Sequence, residues 1–295
     1  MAVKRPKDEA EAGEDETGPK AGASSPHLDE REQDQAARHA APPALVIHEV
    51  VREEGETELS RSASTLIWSG LAAGLSMGFS LLAMALLRAH LPDTPWRTLV
   101  EAPGYSLGFV IVILGRQQLF TESTLTAMLP LMLRRDRETL FALLRMWALV
   151  LASNLVGTII FAALISRPGL FPDTVHDALG TIGHEVLEGA ILAKFIKAVL
   201  AGWLIAMMVW LLPSARSARI LVIMLLTYVV GIGQFPHVIA GSADAAFAVF
   251  SGAATIRDYA LDFLLPTLAG NTVGGVALVA FLNHAPLAPE LRSDA

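Results

Sequence analysis

Two side chains able to do chemistry stand inside otherwise apolar stretches of this 295-residue chain. His237 closes the run Gly231-Ile232-Gly233-Gln234-Phe235-Pro236-His237, within the hydrophobic segment Ile220 to Phe250. Thr121 lies in Gly115-Arg116-Gln117-Gln118-Leu119-Phe120-Thr121-Glu122, within the segment Ser106 to Leu129. An imidazole at membrane depth is costly and titrates near neutral pH, so it points to holding or moving a proton. An anion that takes a proton from His237 becomes a neutral acid, which crosses an apolar constriction far more cheaply than an ion. The plainer reading is a neutral His that satisfies backbone groups freed by the interruption. Thr121 offers a hydroxyl that binds a solute or caps the helix after it. Phe120 and Leu119 beside it suit a constriction, and Phe120 suits simple packing equally well. Arg116 and Glu122 are costly so close to a break unless paired or wetted. They read either as an anion attractor at Arg116 or as an ion pair with each other that locks the loop.

The elements that must position these residues are membrane helices. The chain is 53% hydrophobic with mean hydropathy +0.49, and its apolar residues come in long runs. Six spans are predicted, at 64–88, 106–129, 141–166, 190–212, 218–250 and 259–283. Each has the roughly 20 residues needed to cross about 30 Å of hydrocarbon, so lipid is the expected surroundings. In lipid an interrupted helix survives only where it lines a cavity or is buried in protein. Interruptions at matching places in two halves point to a transport site.

The net charge of −7 belongs entirely to one end. Residues 1–61 hold 8 basic and 15 acidic side chains, whereas 62–295 hold 14 of each. This predicts an acidic tail over 1–61, disordered up to Pro43. Residues 44–60 are predicted as an amphipathic helix at the membrane surface or a solvated lead-in. The transmembrane domain follows at 62–285, with a short tail at 286–295. Arg134, Arg135 and Arg137 in one loop and Arg216 and Arg219 in another place those loops and both termini in the cytoplasm. No basic stripe suits nucleic acid. With no Cys there is no thiolate metal site, and neither metal nor cofactor is expected.

An internal repeat is visible. Leu151-Ala152-Ser153-Asn154-Leu155-Val156-Gly157-Thr158 matches Leu268-Ala269-Gly270-Asn271-Thr272-Val273-Gly274-Gly275 at five of eight positions, 117 residues apart. Three spans separate the copies, so the halves are inverted. Asn154, Gly157, Asn271 and Gly274 are expected to let helices approach closely. Two enzyme-like patterns fail on context. Gly74-Leu75-Ser76-Met77-Gly78 lies in an uncharged helix rather than a strand-to-helix turn. His184-Glu185 is followed by Glu188 instead of a second zinc-binding His, in what reads as an acidic external loop. No enzyme activity is predicted.

Over nearly all of 62–285 the chain resembles the formate/nitrite transporter family. The resemblance rests on Leu119-Phe120-Thr121, Asn154-Leu155-Val156-Gly157, Trp203-Leu204-Ile205 with Val209-Trp210, Gly233-Gln234-Phe235-Pro236-His237, and Leu265-Pro266-Thr267-Leu268-Ala269-Gly270-Asn271. It implies an all-α, aquaporin-like protomer of six helices with the second and fifth broken. It implies a homopentamer in a bacterial cytoplasmic (inner) membrane, with one pore per protomer for formate, nitrite or hydrosulfide. The chain departs from the family pattern at Pro236 (usually Glu), Gly241 and Gly202 (usually Asn), Glu122 (usually Gly) and Val186 (near a usual Lys). These departures keep two other readings open: a neutral-solute or water pore, and a non-conducting scaffold or sensor whose acidic tail binds a partner.

Overall fold

The computed structural model describes residues 25–286, so the expectations for 1–24 and for all but the first residue of 286–295 lie outside the described residues. Met1–Val46 and Ile47–Ala295 form separate compact units. In the first, α1 (Glu30–His39) starts at a reciprocal cap between Asp29 and Glu32. That stretch was expected to be disordered; the capping pair supplies the start that composition alone does not reveal.

Residues Ala44–Leu59 form helix α2. Its inward face carries His48, Val51, Gly55 and Glu58, all buried. Gly55 sits so close to the carbonyl of Thr126 that any Cβ would overlap it. Arg134 adds a pair to Glu56 at 3.0 Å. The compact unit therefore takes in most of a helix that the charge pattern assigns to the tail.

Among the described residues five helices are long and apolar enough to cross a membrane: α3 (Ala63–His90), α4 (Arg97–Leu114), α7 (Arg137–Ile165), α9 (Ile191–Leu211) and α12 (Asp258–His284). Ser62 caps α3 by accepting from the Thr65 N–H, and Asp136 caps α7 by accepting from the Thr139 N–H. Two short helices, α5 (Phe120–Thr126) and α6 (Met128–Arg134), follow α4. The expected crossing at 218–250 is divided between α10 (Arg219–Ile232) and α11 (Ala240–Phe250), neither long enough alone. The acidic segment read as a loop is a 13-residue helix, α8 (Asp173–Glu185), whose Val175, Ala178, Leu179 and Ile182 are buried. Large apolar side chains face outward along the bundle, among them Trp68, Phe141, Leu192, Leu221 and Ile256. That surface suits hydrocarbon rather than water.

Close packing is built twice. On α3, Gly74 lies against the Asn154 carbonyl of α7, and Gly157 lies against the Leu71 carbonyl in return. On α9, Gly202 lies against the Asn271 carbonyl of α12, and Gly274 lies against the Val199 carbonyl. Side chains at these four positions would force the helix pairs apart, because the atoms met are backbone.

Candidate functional site

The two interruptions have the same local architecture. Helix α4 ends at Gly115 and α10 at Gly233, each followed by a left-handed non-glycine residue: Arg116 at φ 54° and Gln234 at φ 47°. The next N–H folds back five residues in both, from Gln117 to the Val112 carbonyl and from Phe235 to the Val230 carbonyl, each at 3.0 Å. This is a Schellman-type helix stop, with the left-handed position one residue beyond the glycine.

A buried asparagine then pins each segment. Asn154 Oδ1 accepts from the Phe120 N–H at 2.9 Å, and its Nδ2 donates to the carbonyls of Gln118 at 3.0 Å and Gly70 at 2.8 Å. Asn271 Oδ1 accepts from the Val238 N–H at 2.8 Å, and its Nδ2 donates to Pro236 at 3.0 Å and Ala198 at 2.8 Å. Both asparagines are 0% exposed. The sequence marks them only as packing residues. In the structure they supply the hydrogen bonds that the interrupted helices no longer make.

Pinned this way, the segments bring their reactive side chains together. Thr121 Oγ1 lies 2.7 Å from His237 Nε2, with both residues 1% exposed. The Ala240 N–H donates to His237 Nδ1 at 3.2 Å. With Nδ1 accepting, the ring hydrogen sits on Nε2 and is given to Thr121, so the imidazole is neutral. The Phe109 ring meets the imidazole edge-on at 5.0 Å. Phe120 turns away from this contact to pack edge-on against Trp147 at 5.8 Å, and Leu119 is wholly buried.

Cavities lie on either side. On the α8 side, about 320 Å³ is lined by His237, Tyr105, Gln234, Asp244, Glu185, Lys194 and Lys197. On the α2 side, about 550 Å³ is lined by Glu54, Glu58, Arg61, Arg116, Gln118, Glu122, Arg216 and Arg219. The Thr121–His237 contact stands between them, since Gln118 and Glu122 flank Thr121. Sequence reasoning found no lysine at the expected vestibule position. The structure seats Lys194 and Lys197 in the cavity with Val186, because the turn between α8 and α9 brings two helices of different register to one mouth. Lys194 Nζ donates to the Leu187 carbonyl at 2.9 Å and the Asp262 carbonyl at 2.6 Å, while Lys197 is exposed.

The expected Arg116–Glu122 ion pair is not formed. Arg116 Nη1 instead reaches Glu54 Oε1 of α2 at 2.9 Å, and Arg116 is 68% exposed. Its left-handed backbone turns it outward, whereas Glu122, on the first turn of α5, faces inward with a carboxylate oxygen that has no hydrogen-bond partner. A further charge cluster went unread at the other end. Arg88 of α3 makes two bonds to Glu101 of α4, at 2.9 and 2.6 Å, and two to Glu185 of α8, at 2.9 and 3.1 Å.

Docking of α2 over its cavity depends on pH through two groups. Burial pushes the Glu58 carboxyl above its ordinary value, against the pull of its bonds to Thr126 and Gln118. Its share of docking is full below the ordinary carboxylate value and is lost as pH rises through the elevated one. Burial holds His48 below the ordinary histidine value, so its share is present above that value and is lost as pH falls. Glu58→Gln is therefore expected to abolish the alkaline loss of docking and leave the acidic loss in place. The line width of a spin label on Thr57→Cys, read from pH 4 to 9, checks this. An unchanged alkaline limb would remove Glu58 from the account.

A helical membrane bundle whose helices part around two polar cavities, joined at one His–Thr contact, defines the class. A profile of the family described as formate/nitrite transporter matches residues 45–285, and the chain belongs to that family. It is 42% identical to the inner membrane protein YfdC of Escherichia coli (strain K12), over 85% of this chain and 80% of that protein. It is 28% identical to the formate channel FocA of the same organism, over 59% and 69%. Among solved structures, a pentameric formate channel with formate bound shares the fold with a TM-score of 0.65 at 22% identity, covering 77% of this chain and 98% of that one.

Proposed function

We propose that this chain passes small monovalent anions of the formate, nitrite and hydrosulfide class across a bacterial inner membrane. The observation that carries this reading is the Thr121–His237 contact, buried between two polar cavities in a member of this family. The doubled helix stop and the doubled asparagine pin support an inverted repeat, in which α10 and α11 together make a sixth crossing. The likeness to a pentameric channel supports five protomers with a pore in each. The arginine-bearing loops support a cytoplasmic α2 side. An anion entering from the α8 side meets Lys197 first. It then exchanges water for the Nε2–H of His237 and the hydroxyl of Thr121 at the narrowest point.

The test is uptake of formate, nitrite, hydrosulfide and a neutral solute into proteoliposomes, with His237→Leu and His237→Asn alongside. A hydrogen bond to a charged group contributes about 1.5–3 kcal/mol. His237→Leu is thus expected to cut anion uptake ~10-fold or more, while His237→Asn, which keeps a donor, retains most of it. Uptake of the neutral solute alone would make the chain a neutral pore. No uptake by correctly assembled protein would leave the scaffold reading.

A further inference from the structure

The α2-side cavity holds opposite charges that do not meet. Among the described residues, four buried side-chain polar atoms lack a hydrogen-bond partner, and three of them, on Gln117, Glu122 and Arg219, belong to walls of this one cavity. Glu122 stands on the first turn of α5, at the inner end beside Thr121. No hydrogen bond or ion pair reaches its carboxylate among the described residues. Arg219 opens α10 on another wall, and Arg216 precedes it in the turn from α9. Neither guanidinium is paired among the described residues. Were Glu122 within reach of Arg219, the two would close on each other; the cavity of about 550 Å³ keeps them apart.

The other charges of the cavity are committed elsewhere. Glu54 holds Arg116 at 2.9 Å. Glu58 accepts from Thr126, and Arg61 donates to Gln118 at 2.7 Å. Glu53 is exposed on α2 and pairs with neither arginine among the described residues. Water can solvate the groups that remain but brings no counter-charge, and an unpaired buried carboxylate is costly. A cation beside Glu122 and an anion beside Arg219 remove that cost. One molecule carrying both does so with a single loss of translational freedom. The volume suits a small ligand, since such pockets run to about 300–1,000 Å³. We propose that the α2-side cavity binds a small zwitterion of the amino-acid class, its ammonium on Glu122 and the Gln117 side-chain carbonyl and its carboxylate on Arg219 and Arg216. Helix α2, which brings Glu54 and Glu58 to the cavity, forms one wall of the site. The bound molecule therefore stands between α2 and the Thr121–His237 contact. On the transport reading above, it closes the route of the anion.

The experiment titrates the full-length protein in lipid nanodiscs with glycine, γ-aminobutyrate and ε-aminocaproate by calorimetry, with acetate and methylammonium as singly charged controls. At least one of these amino acids is expected to bind ~10-fold or more tightly than either control, since each control meets only one of the two charges. Glu122→Gln, which keeps the shape and loses the charge, is expected to weaken that binding ~10-fold or more, and Arg219→Gln to do the same. Failure of all the amino acids to bind overturns the proposal, and so does a control that binds as tightly as they do. Both results come from wild type and need no variant. An unchanged affinity in Glu122→Gln overturns it as well. Formate uptake into proteoliposomes is expected to fall as the amino acid that binds is raised on both faces, and uptake undiminished at saturation overturns the placement in the cavity. Absence of any solute uptake by wild type sinks the transport reading instead, and leaves the binding result standing on its own.

Discussion

Asn271→Ala is expected to lose about 3–5 kcal/mol of stability and essentially all solute flux. The amide satisfies one N–H and two carbonyls, those of Val238, Pro236 and Ala198, in a place with no solvent. Each buried backbone group left unpaired costs about 1–3 kcal/mol. Asn271→Asp is no remedy, because it keeps the acceptor, loses both donors and adds a buried charge. Asn154→Ala should cost a similar amount, since that residue makes the same three bonds in the other half. Thermal unfolding in detergent, followed by tryptophan fluorescence, and flux after reconstitution measure both effects. An Asn271→Ala protein with an unchanged midpoint and normal flux would mean that the interrupted segment holds itself.

The second large effect is expected at Arg88. Its guanidinium carries two carboxylates, and Glu101 is 1% exposed. Arg97 reaches Glu101 only at 4.0 Å, too far to replace it. Arg88→Met strands a buried charge, which costs about 3–5 kcal/mol. Arg88→Met combined with Glu101→Leu removes both charges together and should recover most of that loss, because an apolar pair of similar volume needs no desolvation. Unfolding midpoints of the two single variants and the double variant decide the matter. A double variant as unstable as Arg88→Met would show that the cluster is needed for shape rather than for charge balance.

What the sequence made legible follows from how locally each feature is written. The glycine-marked interruptions at Gly115 and Gly233, and the asparagine repeat, are short-range patterns in apolar surroundings. The helix limits fell within a few residues of expectation for α3, α7, α9 and α12. Helix α4 begins earlier than expected, at Arg97, because Glu101 is paired and so does not end the helix. The partner of Arg116 was illegible, since Glu54 lies far upstream in a segment whose composition reads as tail. Lys194, Lys197 and Asp244 were passed over for the same reason: each is an ordinary polar residue near a span end, and only the fold places them in one cavity with His237. The double duty of the asparagines was hidden because their hydrogen-bond partners belong to other elements.

The paired asparagine pins have a consequence for how traffic through this protein is regulated. Each interrupted segment is tied to one long helix of its own half by two buried hydrogen bonds, while the third bond of the same amide ties that helix to α3 or α9. On the proposed transport reading, the gap at Thr121 and His237 is therefore a sieve of fixed aperture rather than a revolving door.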